Sequence, residues 1–224
     1  MLLAIDTATQ FISLALHDGH EVVAEQSWRT NDNHNVELAP TVSALLHRVG
    51  LTPSDLSAVA VAKGPGSYSG LRVGVALAKA LASVSGLPLV GVSTLDVLAA
   101  AQPHGQGGLI AVVRAGRGRV IAGHYQWRKG RWVARGEPQL VDWATLIDGV
   151  EGTLGLSGEV DEDGRRAIAE AQFNGIGLTL LPPVYRLRRA GFLAQEALAQ
   201  LEDKSADFAP AHLAPYYVKS KDLP

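Results

Sequence analysis

The sequence predicts an α/β protein made of two related lobes, and three observations predict it. The chain opens on short strand signals followed by a helix. A similar order of strands returns about 107 residues later, LLAID near the start lining up with LIAVV at 109–113, which suggests an internal duplication. Between them a glycine-rich turn, GPGSYSG at 64–70, joins an apolar strand to a long helix.

Taken in order, LLAI (2–5) is a short apolar strand. FISLALHDG (11–19) alternates, with Ile12, Leu14 and Leu16 on one face, and ends in an Asp-Gly turn before a third strand at 20–28. A polar loop, RTNDNHN (29–35), leads into a helix with Leu38, Val42, Leu45, Leu46 and Val49 at helical spacing. Pro40 implies a kink or a late start to that helix, and Gly50 is its expected C-cap. A buried strand at 56–64, the glycine turn, a helix over 69–85, a strand within 86–94 and a helix over 94–102 complete the first half. PHGQGG (103–108) is the expected boundary, giving lobes at 1–103 and 104–224. The second half reads as a hairpin over 109–133, a strand at 153–160, a helix at 161–173, a strand at 178–185 and a helix at 188–201. The tail at 208–220 holds too many prolines for a helix and is expected to pack back towards the first lobe.

Composition removes several function classes. The 224 residues include no cysteine, which excludes disulfides, thiol nucleophiles and Cys-ligated zinc. A net charge of −2 argues against a generally cationic nucleic-acid binder. MLLAIDTAT lacks a basic leader and no apolar run approaches a membrane span, so a soluble cytoplasmic protein is expected.

The glycine turn is neither a Walker A loop nor GxGxxG. Two readings stand: a tight turn that packs a helix start on a sheet, or backbone amides facing an anion. In IDTAT, Asp6 and Thr7 could hold a hydrated Mg²⁺ and phosphate oxygens, or cap a turn. The helix after the turn carries only Arg72 and Lys79 as charges, so several of its faces need cover. Gly70, Gly74, Ala78 and Ala82 form a ridge where another backbone can come close, either within the core or at a partner.

Residues 159–170 imitate an EF-hand loop, with Glu159, Asp161, Asp163, Gly164 and Glu170 at ligand-like positions. Glu at the first position and a preceding strand make this a solvated turn with acids at a helix start. The run 114–135 carries seven cations and no acid, interleaved with Tyr125, Trp127 and Trp132. It reads first as a solvated hairpin with its aromatics on the core, and second as an RNA contact. No histidine pair has metal-site spacing on a helix, so no metal site is expected.

The stretches LAIDTAT, HNVELAPTVSALL, KGPGSYSGLRVGVALAKALA and GLPLVGVSTLDVLA resemble the TsaB (YeaZ) family over about residues 1–100. The resemblance implies the duplicated actin/Hsp70/sugar-kinase (ASKHA) fold. It implies a non-catalytic scaffold of the machinery that transfers threonylcarbamoyl to adenosine in ANN-decoding tRNAs. Its implied partners are a TsaD-like catalytic paralogue, a TsaE-like ATPase and a second copy of itself, with tRNA met only through the complex and no membrane.

No catalytic residue is expected. Where the paralogue has GVHHMEGH this chain has GVSTLDVL (91–98), so Thr94 and Leu98 stand at the metal-ligand positions, and Val113 replaces a second strand-end Asp. Arg114-Ala115-Gly116 also departs from the family's usual Asp-Ala-Arg. The expected partner interface is Leu38, Val42, Leu45, Leu71, Gly74, Val75, Ala78 and Ala82. The candidate nucleotide or phosphate residues are Asp6, Thr7, Gly64, Gly66, Ser67 and Gly70. No cofactor is required, and ATP or ADP with Mg²⁺ would sit at a shared interface. The alternative is an active small-molecule kinase or ATPase of the same fold.

Overall fold

Alternation in the opening strands becomes a five-stranded mixed sheet in the computed structural model, which describes residues 1–31, 33–105 and 107–218. Asp32 of the polar loop, Gln106 of the 103–108 segment and residues 219–220 of the tail lie outside the described residues. The first elements are β1 (Leu2–Asp6), β2 (Phe11–His17), β3 (Val22–Arg29), α1 (His34–Arg48), β4 (Ala58–Gly64), α2 (Tyr68–Ser85), β5 (Leu89–Ser93) and α3 (Thr94–Ala100). The strands are ordered β3-β2-β1-β4-β5, antiparallel from β3 to β1 and parallel from β1 to β5.

Strand periodicity then divides the core into two layers. Leu3 and Ile5 point to the face covered by Leu38, Val42 and Leu45 of α1 and by Val75, Ala78 and Ala82 of α2. Leu2 and Ala4 point to the other face, covered by α7 (Ala190–Leu201) through Leu193, Ala194 and Ala197.

The second sheet contains β6 (Gly108–Gly116), β7 (Arg119–Arg128), β8 (Arg131–Ala134), β9 (Gln139–Asp142), β10 (Leu154–Gly158) and β11 (Leu178–Leu180), with helices α4 (Trp143–Asp148), α5 (Glu162–Phe173) and α6 (Pro183–Arg186). Its order is β8-β7-β6-β10-β11, with β9 pairing β7. The pairings repeat those of the first sheet, antiparallel from β8 to β6 and parallel from β6 to β11. The duplication suggested by LLAID and LIAVV is therefore a topological one. It extends to a detail that the sequence concealed. β4 ends at Gly64 and β10 at Gly158, both at φ +116°, and each glycine stands three residues before a helix N-cap, Ser67 and Asp161. The imitation EF-hand is thus the second copy of the glycine turn, and Asp161 caps α5 by accepting from the Gly164 amide at 2.9 Å.

The described chain falls into two compact units, Met1–Val97 with Arg188–Tyr216, and Leu98–Leu187 with Tyr217 and Val218. The change of unit lies within α3, between Val97 and Leu98, where the expected boundary was 103/104, and Arg188–Tyr216 returns to the first unit. The physical reason is α7, whose apolar face completes the first sheet's second layer. Other differences are local. Pro182 and Pro183 cut the strand expected at 178–185 down to three residues, while β9 and α4 were not anticipated.

Candidate functional site

The six candidate phosphate residues lie at the end of β1 and the turn after it, at the end of β4 and the turn after that, and at the start of α2, all within the first unit. Asp6 is the last residue of β1 and sits on the α7 side of the sheet, where it is 0% exposed. Its Oδ1 accepts the Ala8 amide at 2.9 Å, and its Oδ2 accepts Nε of Arg188 at 2.9 Å. Arg188 is 3% exposed, and its Nη2 also donates to Oγ1 of Thr9 at 2.6 Å. A buried carboxylate and guanidinium so placed neutralise each other and share their hydrogen bonds.

The glycine turn is equally engaged. Thr7 Oγ1 donates to the Gly70 carbonyl at 2.7 Å, and the Ser67 amide donates to the Ala8 carbonyl at 2.6 Å. Ser67 caps α2, its Oγ accepting from the Gly70 amide. A Cβ on Gly66 would run into the Ala8 carbonyl, and one on Gly70 into the Thr7 carbonyl. The glycines are required because the chain packs α2 directly on the backbone of the β1–β2 turn. The Ser67 amide and the Asp6 carboxylate that would meet phosphate and cation are committed to the chain itself.

Arg188 is the residue that sequence reasoning missed. It lies 182 positions from Asp6 in a run of three arginines, Arg186, Arg188 and Arg189, with no local signal to single it out. Arg189, its neighbour, instead binds Glu25 through Nε at 2.8 Å, and Glu25 also accepts the Gly191 amide at the start of α7.

The eight expected interface residues face the interior of the first unit. Leu38, Val42, Leu45, Leu71, Gly74, Val75, Ala78 and Ala82 are all buried within the first unit's own core. A helix apolar on every side does not announce which ridge faces inward. The glycine and alanine ridge faces in, with Gly70 and Gly74 against Thr7, where only a glycine allows the approach, and with Ala78 and Ala82 in the core. A second ridge faces out: Tyr68, Arg72, Ala76, Ala80 and Val84, with Val84 90% and Tyr68 58% exposed. On α1 the exposed counterparts are Val36, Pro40 and Ala44. Arg72 lies over the Tyr68 ring at 4.3 Å. Thr94 and Leu98, at the positions matching the paralogue's ligands, are fully buried.

In the second unit, only Tyr125 of the interleaved aromatics is a core residue, whereas Trp127 and Trp132 are half-buried. His124 is pulled below the usual histidine range by burial first and then by the Arg135 guanidinium.

The matching family model is the one described as TsaD: tRNA N6-adenosine threonylcarbamoyltransferase, over residues 22–204. A Bacillus subtilis protein named tRNA threonylcarbamoyladenosine biosynthesis protein TsaB is 40% identical over 149 residues, covering 65% of each chain. The match therefore spans just under two thirds of that relative. An Escherichia coli protein of the same name is 31% identical over 191 residues, covering 76% of this chain and 82% of the relative. Among solved structures, YeaZ from Pseudomonas aeruginosa has the same fold, with a TM-score of 0.77 at 24% identity, over 97% of this chain and 99% of that one.

Proposed function

The chain belongs to the TsaB family of tRNA threonylcarbamoyladenosine biosynthesis proteins, which shares its domain with the TsaD transferases, and from that membership we propose that it acts as a non-catalytic partner subunit. Its part is to dock on a TsaD-like paralogue that carries out threonylcarbamoyl transfer to tRNA adenosine. A TsaE-like ATPase and a second copy of this chain complete the set of expected partners.

The observation that carries the non-catalytic role is the closed strand end. An ASKHA kinase or ATPase needs its strand-end carboxylate free to hold a hydrated cation near phosphate. Here both oxygens of Asp6 are engaged inside the chain, one by Arg188. The rival reading of an active kinase or ATPase has no support from this geometry. Docking falls to the outer ridges of α1 and α2. A stripe of alanines flanked by Tyr68 and Val84 lets a facing helix approach closely, and apolar burial there would favour association.

Reconstitution tests the proposal. Purified chain, a TsaD-like paralogue, a TsaE-like ATPase, tRNA and threonylcarbamoyl-adenylate are combined, and each protein is omitted in turn. Transfer that requires both this chain and the paralogue, with no nucleotide hydrolysis by this chain alone, is the expected result. Transfer or Asp6-dependent hydrolysis by this chain alone would contradict it.

A further inference from the structure

An open groove of about 1110 Å³ lies in the second unit. Its lining includes His104, His124, Gln126, Trp127, Arg135 and Glu151. His104 is exposed and stacks on Trp127, with ring centroids 4.6 Å apart and an interplanar angle of 23°. Trp127 in turn meets Trp132 edge-on at 5.3 Å and 77°, and Trp132 Nε1 donates to the Gln102 carbonyl at 3.1 Å. The stack is thus braced from behind and presents an imidazole to solvent in front.

Charge is concentrated beside it. β7 and β8 are joined by Lys129 and Gly130, both at positive φ, a two-residue turn that sets Trp127 opposite Trp132 and Arg128 opposite Arg131. Like charges directly opposite in a ladder destabilise it. Arg128, Lys129 and Arg131 are all exposed, and no acid occurs between residues 114 and 135. The fold therefore maintains a cationic tip, with Arg135 continuing it into the groove.

We propose that this groove binds single-stranded RNA, one base extending the Trp127–His104 stack and the flanking phosphates meeting Arg135 and the 128–131 turn. A flat aromatic face accepts any base, and guanidinium groups track the backbone. Gln126 and Glu151 offer acceptors to exocyclic amino groups at the base edge. An acidic peptide would meet the cations but make no use of the stack. The inference goes beyond the subunit role and is read on this chain alone, so it stands or falls independently of any partner.

The test uses the full chain and a mixed-sequence RNA octamer, followed by tryptophan fluorescence between 50 and 200 mM salt. Quenching and saturable binding that weakens with salt are expected. His104→Ala should weaken binding about tenfold, and Trp127→Phe should remove most of the quenching. Arg128→Ala with Arg131→Ala should flatten the log–log salt slope by about 1.4. Arg166→Ala, on the exposed side of α5, should change nothing. Circular dichroism melts on each variant separate loss of contact from loss of fold. The proposal is overturned if the octamer does not bind, or if His104→Ala and Arg135→Ala, both folded, bind it as tightly as the parent. It is also overturned if AMP binds as tightly as the octamer, which would make the ligand a free nucleotide, or if an oligoglutamate peptide displaces the RNA at equal concentration.

Discussion

Arg188 donates through Nε to Oδ2 of Asp6 at 2.9 Å, and both side chains are buried. The pair ties the end of β1 to the residues just before α7, 182 positions away. Removing one partner strands a charge in the interior. Arg188→Leu should therefore lower unfolding free energy by about 3–5 kcal/mol. The double variant Asp6→Asn, Arg188→Leu should recover part of that loss, because no ion is left unpaired. Urea titrations of the parent, Asp6→Asn alone, Arg188→Leu alone and the double variant measure the coupling. A double variant no more stable than Arg188→Leu alone would contradict the assignment.

The packing of α2 on the β1–β2 turn predicts the response of its glycines. Gly66→Ala and Gly70→Ala each place a Cβ against a backbone carbonyl that cannot move aside cheaply. Each should destabilise the chain by about 1–3 kcal/mol, with no nucleotide present. Gly86→Ala makes a contrasting case, since nothing among the described residues lies within 4 Å of its added Cβ and only its positive φ of 63° is strained. Were Gly66→Ala and Gly70→Ala as stable as the parent, the turn's closeness to the chain would lose its support.

Isothermal titration of the chain alone with Mg-ATP follows from the same closed geometry. No heat that disappears in Asp6→Ala is expected. Micromolar binding abolished by that substitution, in a variant that still folds, would return the strand end to the status of a nucleotide site.

His124 predicts an acid-side loss of stability. An unfolded histidine takes up its proton at about pH 6.5. In the fold, burial and then Arg135 hold it lower. The unfolded state then binds more protons as pH falls below that value, so stability declines from about pH 6.5 downward until the folded group also titrates. His124→Gln should flatten that part of the stability–pH curve, as measured by urea midpoints at several pH values. A curve unchanged by the substitution would contradict the burial of a neutral imidazole.

The legible part of the fold was its local part. Strand alternation from Phe11 and the long helix after Ser67 are set by neighbouring residues, and the structure places them within a few positions. Inward and outward were not legible where a helix is apolar all round. Gly70 and Gly74 suit a partner's backbone as well as they suit Thr7, and only the tertiary structure shows which one they meet. Asp6 was legible as a candidate because of its place at a strand end, whereas its partner Arg188 was not. Nothing in the run 186–189 distinguishes a buried guanidinium from the exposed one at Arg189. The second glycine turn was hidden because Asp161 caps its helix where Ser67 caps the first, and the extra acids imitate a calcium loop.

The outward ridge of α2 is where the account is most directly exposed to test. Sedimentation velocity on this chain mixed with a TsaD-like paralogue compares the parent, Ala80→Glu and Ala78→Glu. Ala80 is exposed and Ala78 fully buried, so Ala80→Glu should fold normally yet sediment separately from the paralogue. Ala78→Glu should lose the fold itself, burying an ion with no partner. A folded Ala80→Glu chain that still forms the parent's complex at the parent's affinity would contradict docking through this face.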